Sequence, residues 1–180
     1  MIKIRSKLTV VLVLVALAGS VVVASGASPT YPQGATAKVR KELVTLPYYG
    51  VFDNLEYKVE GDTVTLYGQV LRPSTRRDAE RRVARIEGVD RVVNKIEVLP
   101  VSGFDDSIRA RTYRAVFRSG SLYRYALGAN PSLHIVVKNG HVTLEGVVSN
   151  QTDSRLAYIA ARGVPGVFSV TNNLRVGSGS

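Results

Sequence analysis

"GDTVTLYGQV" at residues 61–70 and "NGHVTLEGVV" at residues 139–148 are two spellings of one phrase. Sliding the chain against itself by 78 residues aligns 55–98 with 133–176 without a gap. The matched positions include Leu55/Leu133, Val64/Val142, Leu66/Leu144, Gly68/Gly146, Val70/Val148, Ala79/Ala157, Gly88/Gly166, Val92/Val170, Asn94/Asn172 and Val98/Val176. Chance does not hold register over such a span. Two copies are too few for a stacked solenoid, which needs at least three units, so the repeat predicts tandem domains.

Within each copy Leu55, Tyr57 and Val59, or Leu133, Ile135 and Val137, stand at every second position, the period of a strand with one buried face. "EGD" and "KNG" follow as hairpin turns, with Asn139 and Gly140 suited to the positive φ a tight hairpin demands. The return strand carries Val64, Leu66 and Val70, or Val142, Leu144 and Val148, on its inward side. Next, "PSTRRDAERRVARIEGV" sets Ala79, Val83 and Ile86 on one helical face from about Ser74 to Gly88. A third strand follows in "VDRVVNKIEVL", and the second copy repeats both elements in "QTDSRLAYIAARGVPGV" and "FSVTNNLRV". A further helical stretch precedes each hairpin, "TAKVRKELVTL" and "DDSIRARTYRAVF". The predicted class is therefore α+β: two tandem small α-β-β-α-β domains, at 36–100 and 106–176, each a three-stranded mixed sheet packed by two helices. The link "LPVSGFD", residues 99–105, is short, and small cores gain by sharing burial, so the domains are expected to touch back to back.

The first 27 residues read differently. Lys3, Arg5 and Lys7 precede an uncharged run from Leu8 to Ala24 and the small-residue stretch "ASGASPTYP", the three parts of a secretory signal peptide. The cut is expected after Ala24 or Ala27. The apolar run lies at the lower limit for spanning a bilayer, which keeps an uncleaved anchor as the alternative. There is no cysteine in the chain, which excludes disulfides, thiol catalysis, cysteine metal sites and a lipidated N-terminus. Taking Lys3, Arg5 and Lys7 from the 24 basic residues leaves 21 against 14 acidic, a mature balance of +7. A basic exported protein meets anionic envelope polymers and phospholipid headgroups before it meets nucleic acid.

With "VTLYGQV" and "VTLEGVV", then "IEGVDRVVNKIEV" and "VPGVFSVTNNLRV", the chain resembles tandem BON domains over about residues 36–176. The resemblance implies a non-enzymatic envelope module, often exported, induced by osmotic or envelope stress and proposed to bind phospholipid or attach to membranes. The chain departs from the lipoprotein members in lacking a lipobox cysteine. Its aromatic loop "LPYYGVFDN" is not a general family feature.

Four groups of residues could carry chemistry. His134 and His141, near Asp153, Ser149 and Ser154, invite a hydrolytic reading, but His134 falls on the outward strand parity and His141 at a turn, so both are expected to be exposed and inert. Two imidazoles without a clear third ligand make no metal site. Asn94 and Asn172 lie on the apolar parity of the third strand, and a role in satisfying backbone groups near a bulge or helix end outweighs a ligand-facing one. Arg77, Arg81 and Arg85 are balanced by acids, with Asp78 and Arg82 spaced as an i,i+4 pair, and read as a solvated face.

The fourth group is "SIRARTYRAVFRSGSLYRY", which holds Arg109, Arg111, Arg114, Arg118 and Arg124 among Tyr113, Phe117, Tyr123 and Tyr125, with no acid after Asp106. Arginine beside aromatic rings suits an interfacial helix, the guanidinium on headgroup phosphate and the ring in the boundary. The competing reading packs Tyr113 and Phe117 on the sheet and leaves the arginines merely solvated. Candidate contact residues are Arg111, Arg114, Arg118, Phe117, Tyr113 and Tyr123. The expected protein is a periplasmic stress-protective module without cofactor, metal or nucleic acid, whose partner is an anionic phospholipid or membrane surface. The alternative is an envelope adaptor that docks an acidic protein partner.

Overall fold

The computed structural model describes residues 33–128 and 130–177, so the expected signal segment lies outside the described residues. The first repeat runs α1 (Gln33–Val44), β1 (Asn54–Glu60), β2 (Thr63–Val70), α2 (Pro73–Val83), β3 (Arg91–Asn94) and β4 (Glu97–Val98). The second runs α3 (Gly103–Phe117), a 3-10 turn (Leu122–Ala126), β5 (Leu133–Lys138), β6 (His141–Val148), α4 (Gln151–Arg162), β7 (Ser169–Asn172) and β8 (Arg175–Val176). The central strands β2 and β6 take an antiparallel neighbour on one side and parallel neighbours on the other, which makes both sheets mixed.

The 78-residue repeat is written into the hydrogen-bond register. Leu55 faces Gly68, Tyr57 faces Leu66 and Leu66 faces Asn94; Leu133 faces Gly146, Ile135 faces Leu144 and Leu144 faces Asn172. Asn139 and Gly140 adopt φ of 52° and 80°, as the tight β5–β6 hairpin requires. The third strand of each repeat is not continuous, because it splits after the asparagine. Asn94 receives the Ile96 N–H on Oδ1 at 3.1 Å and donates from Nδ2 to the Arg76 carbonyl of α2 at 3.1 Å. Asn172 receives the Leu174 N–H at 3.2 Å and donates to the Ser154 carbonyl at 3.3 Å. In each repeat one amide bridges the break in the strand and ties it to the helix above, the structural role expected of it.

Val64, Leu66 and Val70 are buried against Val39, Leu43, Ala79 and Val83 of the two helices, and Val142, Leu144 and Val148 against Ile108, Val116, Ala157 and Ala161. Each such aliphatic side chain contributes about 1.5–3 kcal/mol relative to exposure. Asn150 begins α4 by accepting the Asp153 N–H at 2.8 Å, whereas α2 starts on Pro73 with no side-chain cap. The expected Asp78–Arg82 pair does not form. Arg81 takes Asp78 at 2.6 Å instead, and Arg82 turns to Glu42 at 3.6 Å because α1 lies alongside.

The described residues form one compact unit, but the repeats do not share a core back to back. Their cores remain two clusters, and the loop between α1 and β1 crosses the free edge of β5. Ile135 N–H donates to the Val51 carbonyl at 2.7 Å, and Lys138 reaches Glu97 at 2.6 Å. Val51 and Phe52 pack against the core of the second repeat, so the aromatic loop is the seam of the molecule.

Candidate functional site

The second repeat's first helix is held at its start by two residues. Ser102 caps α3 by accepting the Asp105 N–H at 3.2 Å. The buried Asp105 carboxylate accepts the N–H groups of Asn139 and Gly140, both at 2.8 Å, which fixes the helix to the β5–β6 turn. Ile108, Thr112, Val116 and Phe117 then face inward. On the other side Arg114 and Arg118 are exposed and Arg111 is half-buried, its Nε donating to the Ser107 carbonyl at 3.2 Å. Among the described residues no ion pair includes Arg111, Arg114 or Arg118. Tyr113 leans on Phe117, ring centres 4.8 Å apart, and meets the Phe52 ring edge-on at 6.1 Å. Tyr123 stands exposed on the following 3-10 turn.

Other members of the basic stretch lie elsewhere. Phe117 is 7% exposed and belongs to the core, so its ring cannot enter a membrane boundary; it supports Tyr113 from beneath. Arg109 is 3% exposed, with Nη1 on Asp106 at 2.5 Å and Nη2 on the Val137 carbonyl at 2.6 Å, because that face of α3 packs on β5. Arg124 pairs with Asp153, an acid brought over by α4. Tyr125 donates to the same carboxylate at 2.5 Å.

The histidines also separate. His134 is buried, at 7% exposure, because the α1–β1 loop covers the outward side of β5. Its Nδ1 lies 3.2 Å from the Gly50 carbonyl and its ring 5.4 Å from that of Tyr49. Burial lowers the His134 pKa below 6.5, against the opposing pull of backbone hydrogen bonds, and pushes the Tyr49 phenol up to about 12. His141 is exposed and bonds Ser169 Oγ at 2.7 Å. Among the described residues no group of three or more histidine, aspartate or glutamate side chains could hold a metal ion. No described helix is long and apolar enough to cross a membrane.

The sequence reading missed an exposed aromatic pair. Phe104 and Phe168, 48% and 69% exposed, stack at 5.8 Å over the β5–β6 turn, where a Cβ on Gly140 would fall 2.6 Å from the Phe168 ring. Phe168 occupies the position of Asp90 in the first repeat, and that mismatch was the available signal.

The family model described as "BON domain" matches residues 33–100 and 105–178. The chain belongs to the BON domain family and carries two BON domains in tandem. Such domains are generally envelope-associated and non-enzymatic modules. Among solved structures, the chain is similar to CdsD, a structural protein of the type III secretion system of Chlamydia trachomatis, at 10% identity and a TM-score of 0.31, over 81% of this chain and 94% of that one. A structure of the CdsD C-terminal domain matches at 10% identity and a TM-score of 0.28, over 78% and 96%. No curated protein matches the chain.

Proposed function

We propose that the protein is an exported, non-catalytic envelope module that attaches to anionic phospholipid surfaces through the outer side of α3 and the turn after it, in protection against envelope or osmotic stress. The observation that carries this reading is the set Arg111, Arg114 and Arg118 on one helix side, with no acidic partner among the described residues, with Tyr113 next to it on the helix and Tyr123 exposed on the following turn. Near an anionic membrane each cation contributes about 1 kcal/mol, and tyrosine suits the headgroup level. The first 27 residues support export, with a mature chain beginning at Ser25 or Ser28 in the periplasmic fraction. Finding Met1 on a soluble cytoplasmic protein by N-terminal sequencing would remove that part of the reading.

Co-sedimentation tests the rest. The protein should pellet with vesicles of phosphatidylglycerol mixed into phosphatidylcholine, stay in the supernatant with phosphatidylcholine alone, and be released by salt. Failure to pellet with either vesicle would reject the membrane and favour the acidic protein partner.

A further inference from the structure

Along the seam a groove of about 570 Å³ opens between α3 and the first repeat. Phe52 and Leu71 of the first repeat and Ala110 and Tyr113 of α3 form its apolar walls. Asp106 and Arg109 line it near the start of the helix, and Arg114 lines it two turns further on. From residue 106 to residue 114 the helix rises about 12 Å, so the groove follows α3 for roughly the length of one medium alkyl chain. Its volume and largely apolar lining are those of a small-ligand site.

Charge selects the ligand further. Asp106 offsets Arg109, but no ion pair among the described residues offsets Arg114, so the groove has a net positive charge at one end. We propose that this groove binds one single-chain anionic amphiphile, its head against Arg114 and its chain along Phe52, Leu71, Ala110 and Tyr113. The proposal rests on the anionic-lipid reading for the class of ligand; the groove shares Arg114 and Tyr113 with the membrane-contact face but runs inward to Phe52 and Leu71, where it can hold a single chain outside the bilayer.

The test is a titration of the purified protein with decanoate below its micellar concentration, followed by methyl NMR. Saturable shifts are expected at Leu71 and Ala110 and not at Leu43 or Val83 in the core of the first repeat. Ala110→Phe, at an exposed helix position, should fill the groove and weaken binding tenfold or more. Arg114→Gln should weaken decanoate several-fold while leaving decanol, which has no charged head, unchanged. Decanoate binding that survives Ala110→Phe, or shifts spread evenly over the surface, would overturn the proposal. If Ala110→Phe does not fold, a spin-labelled fatty acid on the unaltered protein decides: broadening confined to the groove supports the site, and broadening elsewhere rejects it. Decanoate binding without vesicle binding keeps the groove and removes the membrane reading. Vesicle binding without decanoate binding does the reverse.

Discussion

The glycine in each V-T-L-x-G-x-V phrase is required by its backbone. Gly68 and Gly146 hold φ of 109° and 111°, and a Cβ on Gly146 would lie 2.1 Å from the Ser132 carbonyl oxygen. Gly146→Ala should therefore cost about 1–3 kcal/mol in urea unfolding. A variant as stable as the parent would contradict the close approach. His134 makes a prediction of a different kind. Its pKa is lowered in the folded protein, so on acidification the unfolded chain takes up the proton first. Stability should then decline as pH falls below about 6.5, until the folded form also protonates. His134→Gln removes that contribution, and melting curves of parent and variant should converge toward acid pH from a gap set at neutral pH. A constant gap would show that His134 does not titrate on unfolding. The sequence made the first of these residues legible and not the second, and the reason is physical. Strand parity, a local property, identified the glycine phrase and the inward Val64 and Leu66, whereas His134 is covered by a loop some eighty positions earlier that parity cannot see.

At the scale of elements, α3 joins a core side to an outer side where Arg111, Arg114 and Arg118, in no ion pair among the described residues, stand next to the half-exposed Tyr113. Its existence and its arginine spacing were legible from the sequence; which ring went inward was not. Carried back from the hairpins, the 78-residue register sets the exposed Tyr113 on the buried Ala35 and the exposed Ser121 on the buried Leu43, so it breaks before the first helices and could not say which ring goes inward. Phe117→Ala should cost about 3–5 kcal/mol and lower the melting temperature, with vesicle binding lost only as far as folding is lost. Tyr123→Ala, on an exposed turn, should leave stability within about 0.5 kcal/mol and weaken vesicle binding. The opposite pair of results would put Phe117 back at the membrane. The i,i+4 rule failed at Arg82 for a related reason, since a helical neighbour offered Glu42 in place of Asp78.

In the whole molecule, duplication gives two copies of one scaffold, and the aromatic loop joins them by lending Val51 and Phe52 to the second core. Phe52→Ala should loosen that seam: calorimetry is expected to show one unfolding transition for the parent and two for the variant, and a single transition in the variant would mean the repeats couple elsewhere. The link at residues 99–105 foretold contact but not its form, because a loop over a strand edge leaves no periodic signal. The two scaffolds carry different surfaces. In the first repeat Asp78 pairs with Arg81 and Glu42 with Arg82, while Arg77 and Arg85 are in no ion pair among the described residues; in the second none of Arg111, Arg114 and Arg118 has an acidic partner among the described residues, and Tyr113 stands beside them. The central claim is that this asymmetry locates the membrane contact, and paired charge reversals test it most directly. Glutamate at Arg111, Arg114 and Arg118 together should abolish co-sedimentation with phosphatidylglycerol vesicles and leave the fold intact, since exposed charges add little stability. Glutamate at Arg77, Arg81 and Arg85 should leave most of the binding in place. Equal loss from both triple variants would contradict the account, because binding would then follow net charge and not the face of α3.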